Sequence, residues 1–428
     1  MISALKALEL FRFSLRHPAL PPTPRAFDAA LHALARTRDF DRAWDLLDEV
    51  RATHPALISR RSLAIVLSRY AKFRSFDDTM AAFDRMEAQV FVGREFGVDE
   101  FNVLLRAFCA QRRVLEARAV FRRLYARFPP NARTMNTLLL GFKEAGNVMA
   151  LDLFYHEMVL RGFTPDAVTF NIRIDAYCKK GRMHDALQLL EEMEKRNCPP
   201  TLETMTTLVH GASIARNPFL ARRLFDEMSA RNLGPDTGAY NALMTSFVRA
   251  RDLTSAIGLM KEMEVKGIEH DDRTYYTLFW GLKKDGGVDS VCKLYRRMVG
   301  KDFVPKARTV VSLMKFFCES RRMDMGLDLW GYMVSKGCCP HGHALDLLVT
   351  ALCCRGKVED AYECFKQVVE RGRCPTERGF RVMEGFLVRG GEAKKLEELK
   401  VMMLQLQSVG VASVGRAPCC TSLTVLPC

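Results

Sequence analysis

The stretch Ala167–Thr201, AVTFNIRIDAYCKKGRMHDALQLLEEMEKRNCPPT, decides the fold. Phe170, Ile174 and Tyr177 fall at i, i+4 and i+7, one apolar face of a helix. Gly181 breaks that helix. A second amphipathic run follows through Ala186, Leu187, Leu190 and Met193, and it stops before Pro199 and Pro200. Proline ends a helix because it has no N–H and clashes with the preceding turn. The segment therefore predicts a helical hairpin with a short turn. One such hairpin cannot bury its apolar face, and stacking on a neighbour completes the core.

The neighbours are present along the chain. The residue at the Phe170 position recurs as Phe101, Met135, Phe170, Met205, Tyr240, Tyr275, Val310, Leu345 and Phe380, with one step of 34 and then steps of 35. A proline ladder keeps the same period through Pro165, Pro200, Pro235, Pro305, Pro340 and Pro375, with His270 in the open slot. A methionine ladder runs through Met158, Met193, Met228, Met263, Met298 and Met333. Glycine punctuates the mid-unit turn at Gly146, Gly181, Gly286, Gly356 and Gly391. Ala186, Ala221, Ala256 and Ala361 share a slot where a small side chain lets helices approach. A fixed period of 20–50 residues marks a solenoid. The expected fold is all-α, a right-handed superhelical solenoid of about eleven 35-residue helix-turn-helix repeats over residues 24–406, with residues 98–376 the most regular. Gln89–Gly97 is expected as a loop insertion, and residues 407–428 as a disordered tail.

Composition narrows the function. The 428 residues are 48% hydrophobic and 27% charged, as in a chain that buries a core, so collagen-like and wholly disordered classes are excluded. No uncharged stretch approaches the ~18 residues of a membrane span. The net charge of +14 points to a polyanionic partner or to a merely basic surface. Fourteen cysteines include no pair three apart, and Cys109, Cys178, Cys318 and Cys353 sit in apolar helical runs, a pattern suited to a reducing compartment. Cys338, Cys339, His341 and His343 resemble a zinc cluster, but they occupy an inter-repeat loop without partners at ligand spacing. No catalytic set, metal site or cofactor motif emerges.

Strings such as Ala167–Pro200 and GPDTGAYNALMTSFVRARDLTSAIGLMKEMEVKGIEHD (Gly234–Asp271) resemble the pentatricopeptide repeat family, of the P-class, plant organellar type. The resemblance implies a one-base-per-repeat reader of single-stranded RNA, in which side chains on successive hairpins meet base edges. Carried onto this sequence, Asn102 with Asn131 resembles a cytosine pair and Asn136 with Asp166 a uracil pair. Asn171 with Thr201 resembles a pyrimidine pair, Thr206 with Asp236 a guanine pair, and Asn241 with Asp271 a uracil pair. Val168 matches the apolar residue that flanks a base, whereas Asp99, Arg133, Glu203 and Gly238 depart from that pattern. The implied central preference is C-U-Y-G-U, read from the 5′ end. Tyr276/Lys306, Val311/His341, Asp346/Thr376, Ala64/Gly97 and Asp28/Ser59 form no readable pair. The zinc deaminase signature found at the end of some members, H-x-E with P-C-x-x-C, is absent.

Three functions stay open: a sequence-selective factor in organelle transcript processing, stabilisation, splicing or translation; a ribosome-associated protein gripping RNA non-specifically; and a protein-interaction scaffold. Partners would be single-stranded RNA and organelle RNA-processing or ribosomal proteins. Residues 1–23 carry Lys6, Arg12 and Arg16 against Glu9, with Leu5, Leu8, Phe11 and Leu15 on one face. That pattern suits a mitochondrial transit peptide, with a plastid address or a helix capping the solenoid as alternatives.

Overall fold

The computed structural model describes residues 4–17, 20–285, 287–338 and 342–412. Among these the secondary structure is helical, without a strand. Gly286, Cys339, Pro340, His341, Cys419, Cys420 and Cys428 lie outside the described residues. The chain divides into two compact units, residues 1–235 and 236–428. The first holds hairpins one to six, opening at Pro24, Arg60, Val98, Ala132, Ala167 and Leu202. The second holds hairpins seven to eleven, opening at Thr237, Asp272, Ala307, Gly342 and Glu377. Within each unit the first helix of a hairpin packs on its own second helix and on the first helix of the next hairpin.

The Phe170 series, the methionines and the alanines form the core. Phe170, Met205, Tyr240 and Leu345 are fully enclosed, as are Met193, Met228, Met263 and Met298. Ala186, Ala221, Ala256 and Ala361 are also enclosed. Glycine serves close approach inside three first helices, at Gly141, Gly211 and Gly281. A Cβ at Gly281 would sit 2.7 Å from Val248 Cγ1 and 2.8 Å from Leu253 Cδ2 of the preceding hairpin.

Nine described hairpin turns close through a left-handed residue, whereas hairpin two turns at Arg74 with φ of −121°. Gly146, Gly181, Gly356 and Gly391 take φ between 71° and 74°, and Arg112, Arg216, Arg251 and Arg321 take the same place at 55–63°. A second left-handed series ends the second helices: Gly162, Asn197, Asn232, Gly267, Asp302, Gly337 and Gly372. At both places the chain reverses by a 6→1 hydrogen bond, as from the Cys198 N–H to the Met193 carbonyl at 3.0 Å. His270 fills its proline slot by packing edge-on against Tyr275 and placing Nε2 3.0 Å from the Met260 carbonyl.

Three segments outside the regular hairpins gain detail, and the start of the tail shifts. The insertion Gln89–Gly97 is loop from Phe91 to Gly97, and only Gln89 and Val90 are helical. A wide helical turn covers Met86–Val90, and buried Phe91 packs on Phe96, which in turn packs on Phe83. Helical backbone also continues to Ala412, beyond residue 406, because no proline or hairpin turn interrupts Ala393–Ala412; residues 413–428 lie outside the description. Finally, residues 4–16 form a helix docked on the first hairpin, with Leu8 and Phe11 buried, Phe11 on Phe27, and Arg12 Nε 2.8 Å from Glu49.

Candidate nucleic-acid interface

The residues singled out as base readers lie at the amino-terminal ends of the first helices, where capping chemistry positions them. Asp166 caps Ala167–Lys179 by accepting the Thr169 N–H at 2.8 Å. The Asn136 amide of the preceding hairpin donates to Asp166 Oδ1 at 3.1 Å and to Oδ2 at 3.3 Å. The Thr169 hydroxyl lies 2.8 Å from both Asn136 Oδ1 and Asp166 Oδ1. Three side chains from two hairpins thus form one closed cluster, which fixes which way the Asn136 amide faces.

The same cluster recurs three hairpins later. Asn241 Nδ2 donates to Asp271 Oδ1 at 3.0 Å, and the Thr274 hydroxyl donates to Asn241 Oδ1 at 2.8 Å. Asn171 Oδ1 accepts the Thr204 hydroxyl at 2.7 Å, while Thr201 caps the next helix. Asp28 accepts the Ser62 hydroxyl at 3.1 Å in the equivalent arrangement. The Thr376 hydroxyl donates directly to Asp346 at 2.6 Å. The threonine stitch was missed in the sequence, although Thr134, Thr169, Thr204, Thr274 and Thr309 form a ladder of their own.

The clusters differ in access. Asn136 and Asn171 are half-buried, but Asn241 is only 1% exposed, so Asp271 presents the polar atoms at that hairpin. Asn102 is buried with both amide atoms unpartnered, and Asn131 spends its oxygen on the Thr134 N–H and hydroxyl. The structure does not join that pair. Hairpin three is one residue short, and Asn131 follows Asn102 by one residue fewer than Asp166 follows Asn136. Thr206 is half-buried at the end of the first unit's array, and exposed Asp236 caps the first helix of the second unit. Val168 stands exposed beside the Asp166 cluster.

Burial by itself would raise the Asp166 carboxyl. Hydrogen bonds from the Thr169 N–H and hydroxyl and from the Asn136 amide outweigh it, and the net direction is downward. Asp271 follows the same balance through Thr274 and Asn241. Both are therefore held as carboxylates, acceptors only, at physiological pH. Burial pushes the Cys109 and Cys178 thiols up to about 12, so they pack as small hydrophobes.

Residues 130–176, 165–213 and 235–284 match the PPR repeat family, and residues 101–126, 203–233, 273–303, 308–338 and 346–373 match the PPR repeat. The chain belongs to the pentatricopeptide repeat family. One pentatricopeptide repeat-containing protein of Arabidopsis thaliana is 52% identical over 215 residues, 50% of this chain and 43% of the relative. A second, putative one is 34% identical over 187 residues, 44% of this chain and 37% of the relative. A mitochondrial one is 27% identical over 192 residues, 45% and 33% of the two chains. The chain spans less than half the length of each. Among solved structures, the pentatricopeptide repeat protein PPR10 from maize is similar at 17% identity, covering 95% of this chain and 77% of that one, with a TM-score of 0.38. PPR10 in complex with an 18-nucleotide psaJ RNA element gives 22% identity, 94% and 69% coverage, and a TM-score of 0.41.

Among the described residues of this pentatricopeptide array, no group of three His, Cys, Asp or Glu side chains could hold a metal. No helix there is long and apolar enough to cross a membrane.

Proposed function

We propose that this pentatricopeptide array is a sequence-selective single-stranded RNA-binding protein that acts on organelle transcripts. The observation that carries the reading is the repetition of one cluster, Asn136–Asp166–Thr169 and Asn241–Asp271–Thr274, at the same place on two hairpins. Each offers an ionised acceptor beside an amide whose orientation a threonine sets. Such a pair distinguishes the donor and acceptor pattern of one base edge from another. The expected preference is C-U-Y-G-U along the first helices from Asn102 to Asp271. The test is binding of a C-U-Y-G-U RNA against a scrambled one, repeated across salt. Selective binding whose log affinity falls with log salt at about −0.7 per phosphate neutralised supports the reading. Equal binding to both RNAs supports a grip on backbone alone, which the unjoined Asn102/Asn131 pair favours.

Its role is to occupy a transcript and so guard, process, splice or promote translation of it. Some relatives are named as mitochondrial, which supports a mitochondrial rather than plastid address. The docking of Leu8 and Phe11 on the first hairpin supports the alternative, that residues 4–16 cap the array. A fluorescent reporter fused to residues 1–23 decides: import into mitochondria supports the address, and a uniformly cytosolic reporter supports the cap.

A further inference from the structure

Hairpin eight breaks the pattern, and it does so with aromatic and cationic side chains. Tyr276 stands where Asn136, Asn171 and Asn241 stand in their hairpins, and Trp280 follows one helical turn later on Asp272–Lys284. Residues four apart share a helix face. Arg273 and Arg308 occupy the Val168 position of hairpins eight and nine, on either side of Tyr276. The Arg308 guanidinium lies 4.2 Å from the Tyr276 ring centre, and Lys284 Nζ lies 4.0 Å from that of Trp280. With Arg249 and Thr245, the side chains of Arg273, Tyr276, Trp280 and Arg308 line a cavity of about 510 Å³, within the size range that small ligands fill.

The charge there is one-sided. Many surface cations elsewhere are answered by acids, as Glu264 answers Arg297 at 2.6 Å and Glu194 answers Arg231 at 2.5 Å. Arg249, Arg273 and Arg308 are exposed and make no ion pair among the described residues. Asp272, the acid at the cavity, accepts the Lys306 N–H at 2.7 Å. Three unanswered guanidiniums repel one another, and a polyanion relieves that repulsion. Trp280 is 36% exposed, whereas Trp44 and Trp330 are buried. An exposed indole beside a half-buried phenol, flanked by guanidiniums, is a surface on which bases stack, because every base offers a π-face.

We propose that hairpin eight holds one nucleotide of single-stranded RNA by stacking its base on Tyr276 and Trp280 and clamping its phosphates with Arg249, Arg273 and Arg308, whatever the base. The site rests on the RNA-binding reading and adds affinity without sequence information, next to the readable pair at Asn241 and Asp271. It replaces edge recognition, for which Tyr276 and Lys306 offer no complementary amide and carboxylate, with face recognition.

The experiment titrates the full chain with a fluorescein-labelled twelve-nucleotide RNA containing C-U-Y-G-U. Anisotropy follows binding, and intrinsic tryptophan emission is read in parallel with the unlabelled RNA. Stacking predicts quenching that saturates with the anisotropy and disappears in Trp280→Phe, which keeps a ring and the fold. Tyr276→Ala with Trp280→Ala should weaken binding on the order of tenfold to a hundredfold. That loss should be the same for RNAs carrying A, C, G or U at the next position after the readable core. Binding with unchanged Trp280 emission, or a loss confined to one base, overturns the stacking site while RNA binding stands. Absence of any anisotropy change overturns the RNA reading itself.

Discussion

Replacing Thr274 by valine removes one hydroxyl and keeps the branched shape. That hydroxyl donates to Asn241 Oδ1 at 2.8 Å and lies 2.9 Å from Asp271 Oδ1. Asn241 is 1% exposed, so water cannot replace the lost donor, and the amide oxygen is stranded. A stranded buried acceptor costs about 1–3 kcal/mol, and the enclosure of Asn241 places Thr274→Val near the upper end. Thr169→Val makes the same change beside half-buried Asn136, where water can enter, and about 1 kcal/mol is expected. Thr309 supplies the control. Its hydroxyl is buried without a partner, because Tyr276 stands where an asparagine would accept it. Thr309→Val should therefore be neutral or stabilising. Repeat arrays open locally, so the assay is hydrogen exchange of the first helices of hairpins five, eight and nine beside urea unfolding. If Thr274→Val costs no more than Thr309→Val, the threonine stitch does not organise the clusters.

Five further outcomes follow from the backbone and the proline slot. Gly258 lies inside an exposed helix face with open space around it, so Gly258→Ala should gain up to about 1 kcal/mol. Gly281→Ala should lose stability, because its Cβ meets Val248 and Leu253 and overpacking costs about 1–3 kcal/mol; urea midpoints compare the two. Gly181 has φ of 71° and nothing near its missing side chain, so Gly181→Ala should cost about 1–2 kcal/mol through the backbone alone. Arg251→Gly, at φ of 63°, should recover up to about 1 kcal/mol. Burial, with Lys301 and Arg297 nearby, lowers the His270 pKa against the pull of Met260 and Glu264. A group whose folded pKa is lowered from 6.5 contributes stability above that value that is lost as pH falls below it. His270→Pro, restoring the ladder residue, should flatten that loss between pH 7 and 5 in a thermal melt.

The fold was legible because the punctuation repeats with the hydrophobic pattern: the Phe170 series, the methionines and the prolines set period, hairpin and core together. The second left-handed series went unread because glycine, asparagine and aspartate alternate in it, as at Gly162, Asn197 and Asp302. All three tolerate positive φ, but they share no residue type to catch the eye. Cap positions were legible at Asp166 and Asp271, whose spacing from their asparagines is constant. The fate of Asn102 was not, because one missing residue in hairpin three changes which atoms meet without changing either residue. The enclosure of Asn241 depends on packing between neighbours rather than on the local string. Hairpin eight was set aside because Tyr276 and Lys306 match no pair, and it is the cavity with Trp280, Arg273 and Arg308 that gives those residues a use.

The central claim is that the clustered pairs read base identity, and Asn136→Thr tests it most directly. Asp166 keeps its cap on Thr169, so the fold and the acceptor remain. The shorter threonine side chain leaves room for a purine and makes the pair resemble Thr206 with Asp236. The measurement is competition between C-U-U-G-U and C-G-U-G-U RNAs for the wild-type chain and the variant. The account predicts that wild type prefers the first and the variant the second, each by roughly tenfold to a hundredfold, the worth of one hydrogen bond to a buried partner. Equal binding of both RNAs by both proteins would contradict it.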